Sequence, residues 1–258
     1  MESALCVKPD NPAARQPCNL FKYDVHVHSM ETSTCGHMYA ADIVDFYHRE
    51  GYQGIAFTDH FHEVYFQGLP EYKKDWSACV DRFLKGYRVA SERAARLGMD
   101  LILGIELRCP ESLRDTLVFG LDEQFLYDNP YCYELGLEQF YHRFRDELAL
   151  FAAHPFRWDR VACGQLGVFP ELLHGVEVIN CNPRHINNNN EALELCRAKP
   201  ELIRIIGSDV HQPVDMCAAY LGFERRITNS FELRDALLRR EFVMGYPSDP
   251  AMISEYSE

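Results

Sequence analysis

Residues 23–29 read Tyr23-Asp24-Val25-His26-Val27-His28-Ser29. This is an apolar alternation that runs directly into two imidazoles. On a β-strand, side chains two apart share a face, so His26 and His28 project together, as ligands to one metal ion must. Such a pair also arises by chance as two hydrogen-bonded histidines at a strand end. Recurrence along the chain decides between the readings.

The same template, an apolar run ending in polar residues, returns six times. Gly54 to Phe57 leads into Thr58, Asp59 and His60; Leu101 to Ile105 into Glu106; and Thr116 to Phe119 into Gly120. Leu148 to Ala153 leads into His154, Val176 to Ile179 into Asn180, and Ile203 to Ile206 into Ser208, Asp209 and His211. Between these runs lie helical periodicities, among them Ile43, Phe46 and Tyr47; Phe83, Leu84, Tyr87 and Ala90; and Leu137, Phe140, Phe144 and Leu148. Gly51 and Gly98 follow periodic stretches and read as helix stops. Alternating near-continuous apolar strands and helices predict an α/β fold with a parallel sheet, and seven repeats suit a closed or nearly closed barrel. In such barrels chemistry sits at the C-terminal strand ends, where these polar residues fall.

Composition agrees with a single globular unit. The chain has 258 residues, 47% hydrophobic and 12% aromatic, enough to bury a core. Its 39 acidic and 26 basic side chains give a formal charge of −13, which argues against binding nucleic acid or anionic membrane through surface charge. No run approaches the roughly 18 to 20 apolar residues of a membrane span, and Met1 to Cys18 is too polar for a signal peptide. The ten cysteines are scattered without a CxxC pair and read as reduced thiols in a cytoplasmic protein. The simplest parse is an N-terminal arm (1–20), one domain (21–245) and a tail (246–258). Asn187 to Asn190 read as a turn preceding a helix from Glu191 to Ala198. The aromatic stretch from His62 to Lys74 reads as a lid or wall over a site, and Tyr65, Phe66 and Tyr72, with Trp76 just beyond it, either stack a base or sugar or fill core.

Five histidines (His26, His28, His60, His154, His211) and two carboxylates (Glu106, Asp209) brought to one rim would need cations to be tolerable. Imidazole and carboxylate suit Zn, Mn or Fe and disfavour Ca, and more than four ligands imply at least two ions.

In order along the chain, His26-x-His28, Thr58-Asp59-His60, Gly104-Ile105-Glu106, His154-Pro155 and Ser208-Asp209-x-His211 resemble the motifs of the polymerase and histidinol phosphatase (PHP) family. The resemblance spans Tyr23 to about Gly222. It implies a distorted seven-stranded (β/α)7 TIM-like barrel with two or three divalent metal ions, Zn, Mn or Fe rather than Mg. It implies that His26, His28, Glu106 and Asp209 surround one ion, Glu106 and His154 a second, and His60 and His211 a third, with Asp59 orienting a ligand from behind. Where many relatives carry Ser-Asp-Gly, this chain has Ser33-Thr34-Cys35-Gly36-His37, leaving Cys35, His37 and Glu31 as alternatives for a further ligand. On the fourth strand, where relatives often carry histidine, Asp115 and Asp122 are the candidates.

Clustered divalent ions suit hydrolysis of a phosphate ester by activated water. Arg157 and the pair Arg184-His185 follow strands and are the candidate phosphate contacts. Catalysis would rest on Glu106, His60, Asp209 and His211. Neither a GxxxxGK phosphate loop nor a Gly-x-Ser-x-Gly elbow is present, which disfavours triphosphate chemistry of that kind and a serine nucleophile. The expected activity is a metal-dependent phosphoesterase acting on a small phosphorylated metabolite or nucleotide. The alternatives are a nuclease or polymerase-associated proofreading exonuclease, which the net acidity disfavours, and a non-catalytic metal-binding module.

Overall fold

The computed structural model describes residues 20–110, 114–158 and 167–245. The expected arm, apart from Leu20, and the expected tail lie outside the described residues. So do Cys6, Cys18 and Cys163.

Eleven strands are described: β1 (Phe21–Val27), β2 (Gly54–Phe57), β3 (His60–Phe61), β4 (Asp100–Leu103), β5 (Ile105–Arg108), β6 (Asp115–Phe119), β7 (Ala149–Ala152), β8 (Gly175–Asn180), β9 (Ile203–Gly207), β10 (Tyr220–Phe223) and β11 (Val243–Gly245). All seven apolar runs lie in strands. They do not, however, close into a seven-stranded parallel barrel. One sheet runs β11-β10-β1-β2-β4 and a second β3-β5-β6-β7-β8-β9.

Two local causes account for the difference. The run read as a single strand from Leu101 to Ile105 is cut at Gly104, so that β4 pairs with β2 in one sheet while β5 pairs with β3 and β6 in the other. A Cβ at Gly104 would stand 3.0 Å from both the Phe119 ring and Thr58, a close approach only glycine allows. On the opposite side the sheets meet through one isolated parallel bridge, Val27 to Val210. The pairing is also mixed. Only the few residues between Arg108 and Asp115 join β5 to β6, too short a connection for a parallel crossover, and β6 runs antiparallel to both β5 and β7. β10 is likewise antiparallel to β1.

Helices cover both sheets. In α1 (Ala40–Arg49), Ile43, Val44 and Tyr47 are buried at helical spacing, and the Glu31 carboxylate accepts from Ala40 N at the helix start. Gly51 follows the helix at φ +76°. The periodicity around Phe83 to Ala90 belongs to two helices, α2 (Trp76–Phe83) and α3 (Lys85–Leu97), broken at Leu84. The second ends on Gly98 at φ +70°, the left-handed cap its sequence announces. Small residues Ala90 and Ala94 let this helix lie against α1 over Ile55 and Phe57, forming a core separate from the larger one. Leu137, Phe140 and Phe144 are buried on α4 (Leu137–Phe144).

The stretch from His62 to Lys74 lines neither cavity described below, and its aromatic residues pack into the core. Phe66 is fully buried, stacks on Tyr133 at 4.8 Å and packs against Trp76. Asn187 and Asn189 hydrogen-bond the backbone at Asn180, and α5 starts at Asn189 (Asn189–Ala198), two residues earlier than expected. No helix among the described residues is long and apolar enough to cross a membrane.

Candidate metal centre

The polar strand ends meet at one rim where the two sheets abut. His26 and His28 come from the end of β1, His60 from β3, Glu106 from within β5, and His154 and Asp209 from two residues beyond β7 and β9. Because Gly104 divides the run, Glu106 lies inside a strand rather than past its end. His154 (φ +30°) and Asp209 (φ +55°) hold left-handed backbone conformations that these residues adopt only at a cost. Such strain is typical of positions that aim a functional side chain.

The side chains form three triads whose donor atoms lie within 4.8 Å of one another: His26, Glu106 and His154; His26, His28 and Asp209; and His28, His60 and His211. Glu106 links the first to the third. Its Oε1 lies 3.3 Å from His26 Nε2 and 3.1 Å from His154 Nε2, while Oε2 lies 2.5 Å from His60 Nδ1 and 3.7 Å from His28 Nε2. Asp209 Oδ1 stands 3.5, 3.4 and 3.3 Å from His26 Nε2, His28 Nε2 and His211 Nδ1. The triads cut across the grouping implied by family resemblance. His26 and His28 are each shared, and Glu106 and Asp209 fall in separate triads.

His26 Nε2, His28 Nε2, His60 Nδ1, Glu106 Oε2 and Asp209 Oδ1 are buried polar atoms without a hydrogen-bond partner. Buried polar groups are ordinarily satisfied, each exception costing about 1–3 kcal/mol. These five converge on one another, His60 Nδ1 in ion-pair contact with Glu106 Oε2 and the rest at 3.4–3.7 Å, a concentration of lone pairs and charge that fits metal ions. The electrostatics agree. Burial would lower His26, but Glu177 and Asp209 outweigh it and hold the ring well above the ordinary histidine value. Burial would raise Glu106 and Asp209, yet His60 with its neighbours holds the first, and Arg157 with His26 the second, well below the ordinary carboxylate range. His28 is pushed well below its ordinary value by burial and by facing His211 and His60. Two carboxylates held toward their ionised form therefore sit among imidazoles.

Behind the donors are groups that fix them. Glu177, fully buried, accepts from His26 Nδ1 at 2.9 Å, from His154 N at 2.7 Å and from Asn180 Nδ2 at 3.0 Å. His26 is thereby left with its Nε2 lone pair aimed at the centre. The approach depends on Gly207, where a Cβ would stand 2.3 Å from Glu177 Oε1 and 2.7 Å from His26 Cβ. Asp59 accepts from Ser29 N, Ser29 Oγ and Ser33 Oγ at 2.7–2.8 Å, and Ser33 Oγ in turn accepts from His60 N at 3.1 Å. Burial pushes Asp59 up to about 6 against those hydrogen bonds. Asp59 acts on His60 through Ser33, the place behind the donors expected of it.

The remaining candidates separate. Cys35 Sγ lies 3.1 Å from His60 Nε2. Burial raises its thiol, but hydrogen bonds with His211 and His60 bring it down to about 6. Cys35 and His37 are both exposed and outside every triad, only Cys35 touching one of the triad histidines, and Glu31 is spent on Ala40 N. The antiparallel course of β6 brings its first residue, Asp115, to the rim. There it takes both donors of Arg108 at 2.7 Å and stands 3.9 Å from His154 Nε2. Asp122 lies at the far end of that strand and caps a helix by accepting from Phe125 N. Arg157 pairs with Asp209 and donates to Asn180 and Asn187. Arg184 likewise pairs with a buried acid, Asp215, at 2.9 Å.

A cavity of about 230 Å³ opens on the centre, walled by Arg108, Arg114, Arg157 and His185 as well as Cys35, Asp115, His60, His154, Asp209 and His211. Arg184 is not among its lining residues. Burial and the neighbouring Arg157 lower His185 to about 4. His185 also lines a larger cavity of about 610 Å³ formed by Asn180 to Pro183 and Asn187 to Glu191.

Sequence reading passed over Glu177, Arg108 and Arg114. Glu177 carried a signal, being a lone carboxylate inside the apolar run of β8, where a buried strand tolerates it only if paired. Arg108 stands two residues from Glu106 on the same strand and so shares its face.

The PHP domain profile matches residues 24–242. A two-domain protein from Bacteroides vulgatus containing a predicted PHP-like metal-dependent phosphoesterase is similar in fold, with TM-score 0.64 and 20% identity over 93% of this chain and 69% of that one. PsfC from Pseudomonas syringae is similar at TM-score 0.56 and 16% identity, covering 92% of this chain and 96% of its own. A protein from Bifidobacterium adolescentis assigned as a metal-dependent phosphoesterase is similar at TM-score 0.51 and 15% identity, covering 84% and 96%. No curated protein matches the sequence.

Proposed function

The chain belongs to the PHP domain family, and on that premise we propose that it is a metal-dependent phosphoesterase hydrolysing a phosphate ester of a small metabolite or nucleotide. The observation that carries the reading is the convergence of five unpartnered buried donor atoms from β1, β3, β5 and the turn after β9. His26, His28, His60, Glu106, His154, Asp209 and His211 would hold two or three divalent ions, with zinc, manganese and iron best suited to such donors. Ions so placed act as Lewis acids that activate water and neutralise charge developing on a phosphoryl group.

The chain's own residues divide the remaining tasks. Glu106 directs one oxygen to His26 and His154 and the other to His60 and His28, so a single carboxylate ties neighbouring positions together. Glu177 keeps the proton of His26 on Nδ1 and leaves Nε2 for the ion. Arg108, Arg114 and Arg157 place three guanidinium groups on the cavity wall, where planar donors match phosphate oxygens. His185, neutral at pH 7, offers a ring N–H at the junction of the two cavities. The smaller cavity suits a phosphoryl group. The larger one falls in the 300–1,000 Å³ range of small-ligand pockets and suits the alcohol portion of a metabolite.

Hydrolysis of a fluorogenic phosphate monoester, followed by a panel of phosphorylated metabolites, tests the reading. Turnover should vanish after chelation and return with manganese, zinc or iron. Degradation of single-stranded nucleic acid without monoester turnover would replace it with a nuclease, and stoichiometric metal without turnover on either would replace it with a binding module.

A further inference from the structure

Of the three triads, that of His28, His60 and His211 alone contains no carboxylate. Glu106 and Asp209 stand beside it, but each is a member of a neighbouring triad. Glu106 Oε2, 2.5 Å from His60 Nδ1, and Asp209 Oδ1, 3.3 Å from His211 Nδ1, offset charge from its edge, but the triad has no anionic member of its own. A further donor within reach is sulfur: Cys35 Sγ lies 3.1 Å from His60 Nε2, the ring nitrogen opposite the one that faces Glu106, and interacts with His211. His28, fully buried and with Nε2 unpartnered, stacks against both rings at 4.4 and 4.3 Å and completes the group.

The loop that carries Cys35 is fixed on both sides of it. Ser33 Oγ donates to Asp59 at 2.7 Å, Gly36 N to Ser33 O at 2.9 Å, and His37 N to His211 O at 2.7 Å. A Cβ at Gly36 would stand 2.9 Å from Ser29 O, so glycine is needed for the tight turn immediately after the cysteine. The thiol is thus held against the two histidines by the same backbone that presents His211, the preorganisation a ligand position requires.

We infer that the ion held by His28, His60 and His211 takes Cys35 as a thiolate ligand. This inference rests on the metal centre proposed above. It makes the centre chemically uneven, with one nitrogen–sulfur position for a borderline or soft cation such as zinc, iron(II) or cobalt(II) beside nitrogen–oxygen positions that also suit manganese. Binding there releases the thiol proton to solvent, and the sulfur–metal bond replaces the thiol's hydrogen bonds to the two rings.

Cobalt(II) loading of the full-length protein tests this by absorption and by metal content. The wild-type protein should show a near-ultraviolet thiolate-to-cobalt charge-transfer band. Cys35→Ser should abolish that band and weaken the last ion tenfold or more, while the visible cobalt bands of the other positions persist. Cys35→Asp should recover the stoichiometry without the band. Cobalt bound at the same stoichiometry with no band, or a band unchanged in Cys35→Ser, overturns the thiolate assignment and leaves the metal centre standing. A folded protein that takes up no cobalt overturns both.

Discussion

Glu177 offers the sharpest test of how the centre is built. Its Oε1 accepts from His26 Nδ1, and its Oε2 accepts from both His154 N and Asn180 Nδ2. Replacing it with Gln preserves shape and volume but makes one of the two oxygens an NH₂ group. In one amide orientation that group faces two N–H donors; in the other it faces the His26 ring proton. Neither orientation satisfies all three. Loss of such a partner behind a metal-ligating histidine costs about 10–100-fold in metal affinity, equivalent to about 1.4–2.8 kcal/mol. Competition with a zinc-sensitive dye should show that weakening in Glu177→Gln, and the metal-dependent part of its unfolding free energy should shrink by the same amount. Gly207→Ala perturbs the same contact while leaving the carboxylate's chemistry intact, because the added methyl would occupy the space of Glu177 Oε1 and His26 Cβ. It should weaken metal in the same direction and cost about 1–3 kcal/mol from overpacking. Metal affinity within twofold of wild type in both variants would refute the role assigned to Glu177.

Two further outcomes are expected. Arg184→Ala should act on stability before it acts on substrate: it strips the partner from buried Asp215, whose carboxylate also accepts from His211 N and Gln212 N. Breaking such a pair costs about 3 kcal/mol, readable as a lowered urea midpoint, and an unchanged midpoint with a raised KM would restore Arg184 as a phosphate contact. His174, half-buried away from the centre, accepts from Leu150 N at 3.1 Å and is lowered from the ordinary value of 6.5 by burial, against a backbone hydrogen bond at Arg145. Between the two values the unfolded chain binds the extra proton and the native one does not. His174 therefore contributes stability above about pH 6.5 that is lost as pH falls from 6.5 through its native value. The difference in unfolding free energy between wild type and His174→Gln should narrow over that interval, and a pH-independent difference would contradict the assignment.

The strands were legible because burial on both faces writes continuous apolar runs, and the donors were legible because they sit where those runs stop. What periodicity does not encode is how strands pair. Nothing in the run from Leu101 to Ile105 marks a break except Gly104, whose meaning depends on Phe119 and Thr58, residues near only in space. The direction of β6 was readable in principle from the short link between Arg108 and Asp115. With that direction, Asp115 rather than Asp122 faces the rim, and an ambiguity left by composition resolves. Glu177 was missed because attention to strand ends overlooks a buried charge in a strand's middle. The pairing of Arg184 with Asp215 was not legible, because following a strand brings a residue near the rim without deciding which acid it meets.

The centre's first donors, His26 and His28, and its last, Asp209 and His211, lie nearly the whole folded chain apart, and they face one another across the seam marked by the Val27 to Val210 bridge. No partial chain lacking β9 and the turn beyond it can assemble any more than one of the three triads. If the triads hold metal as proposed, two of the three would be complete only after synthesis has passed residue 209 or 211 and the long-range contact between the two sheets has formed. A nascent or truncated chain would compete poorly for metal, and the ions would reward completion of the fold rather than guide its early steps.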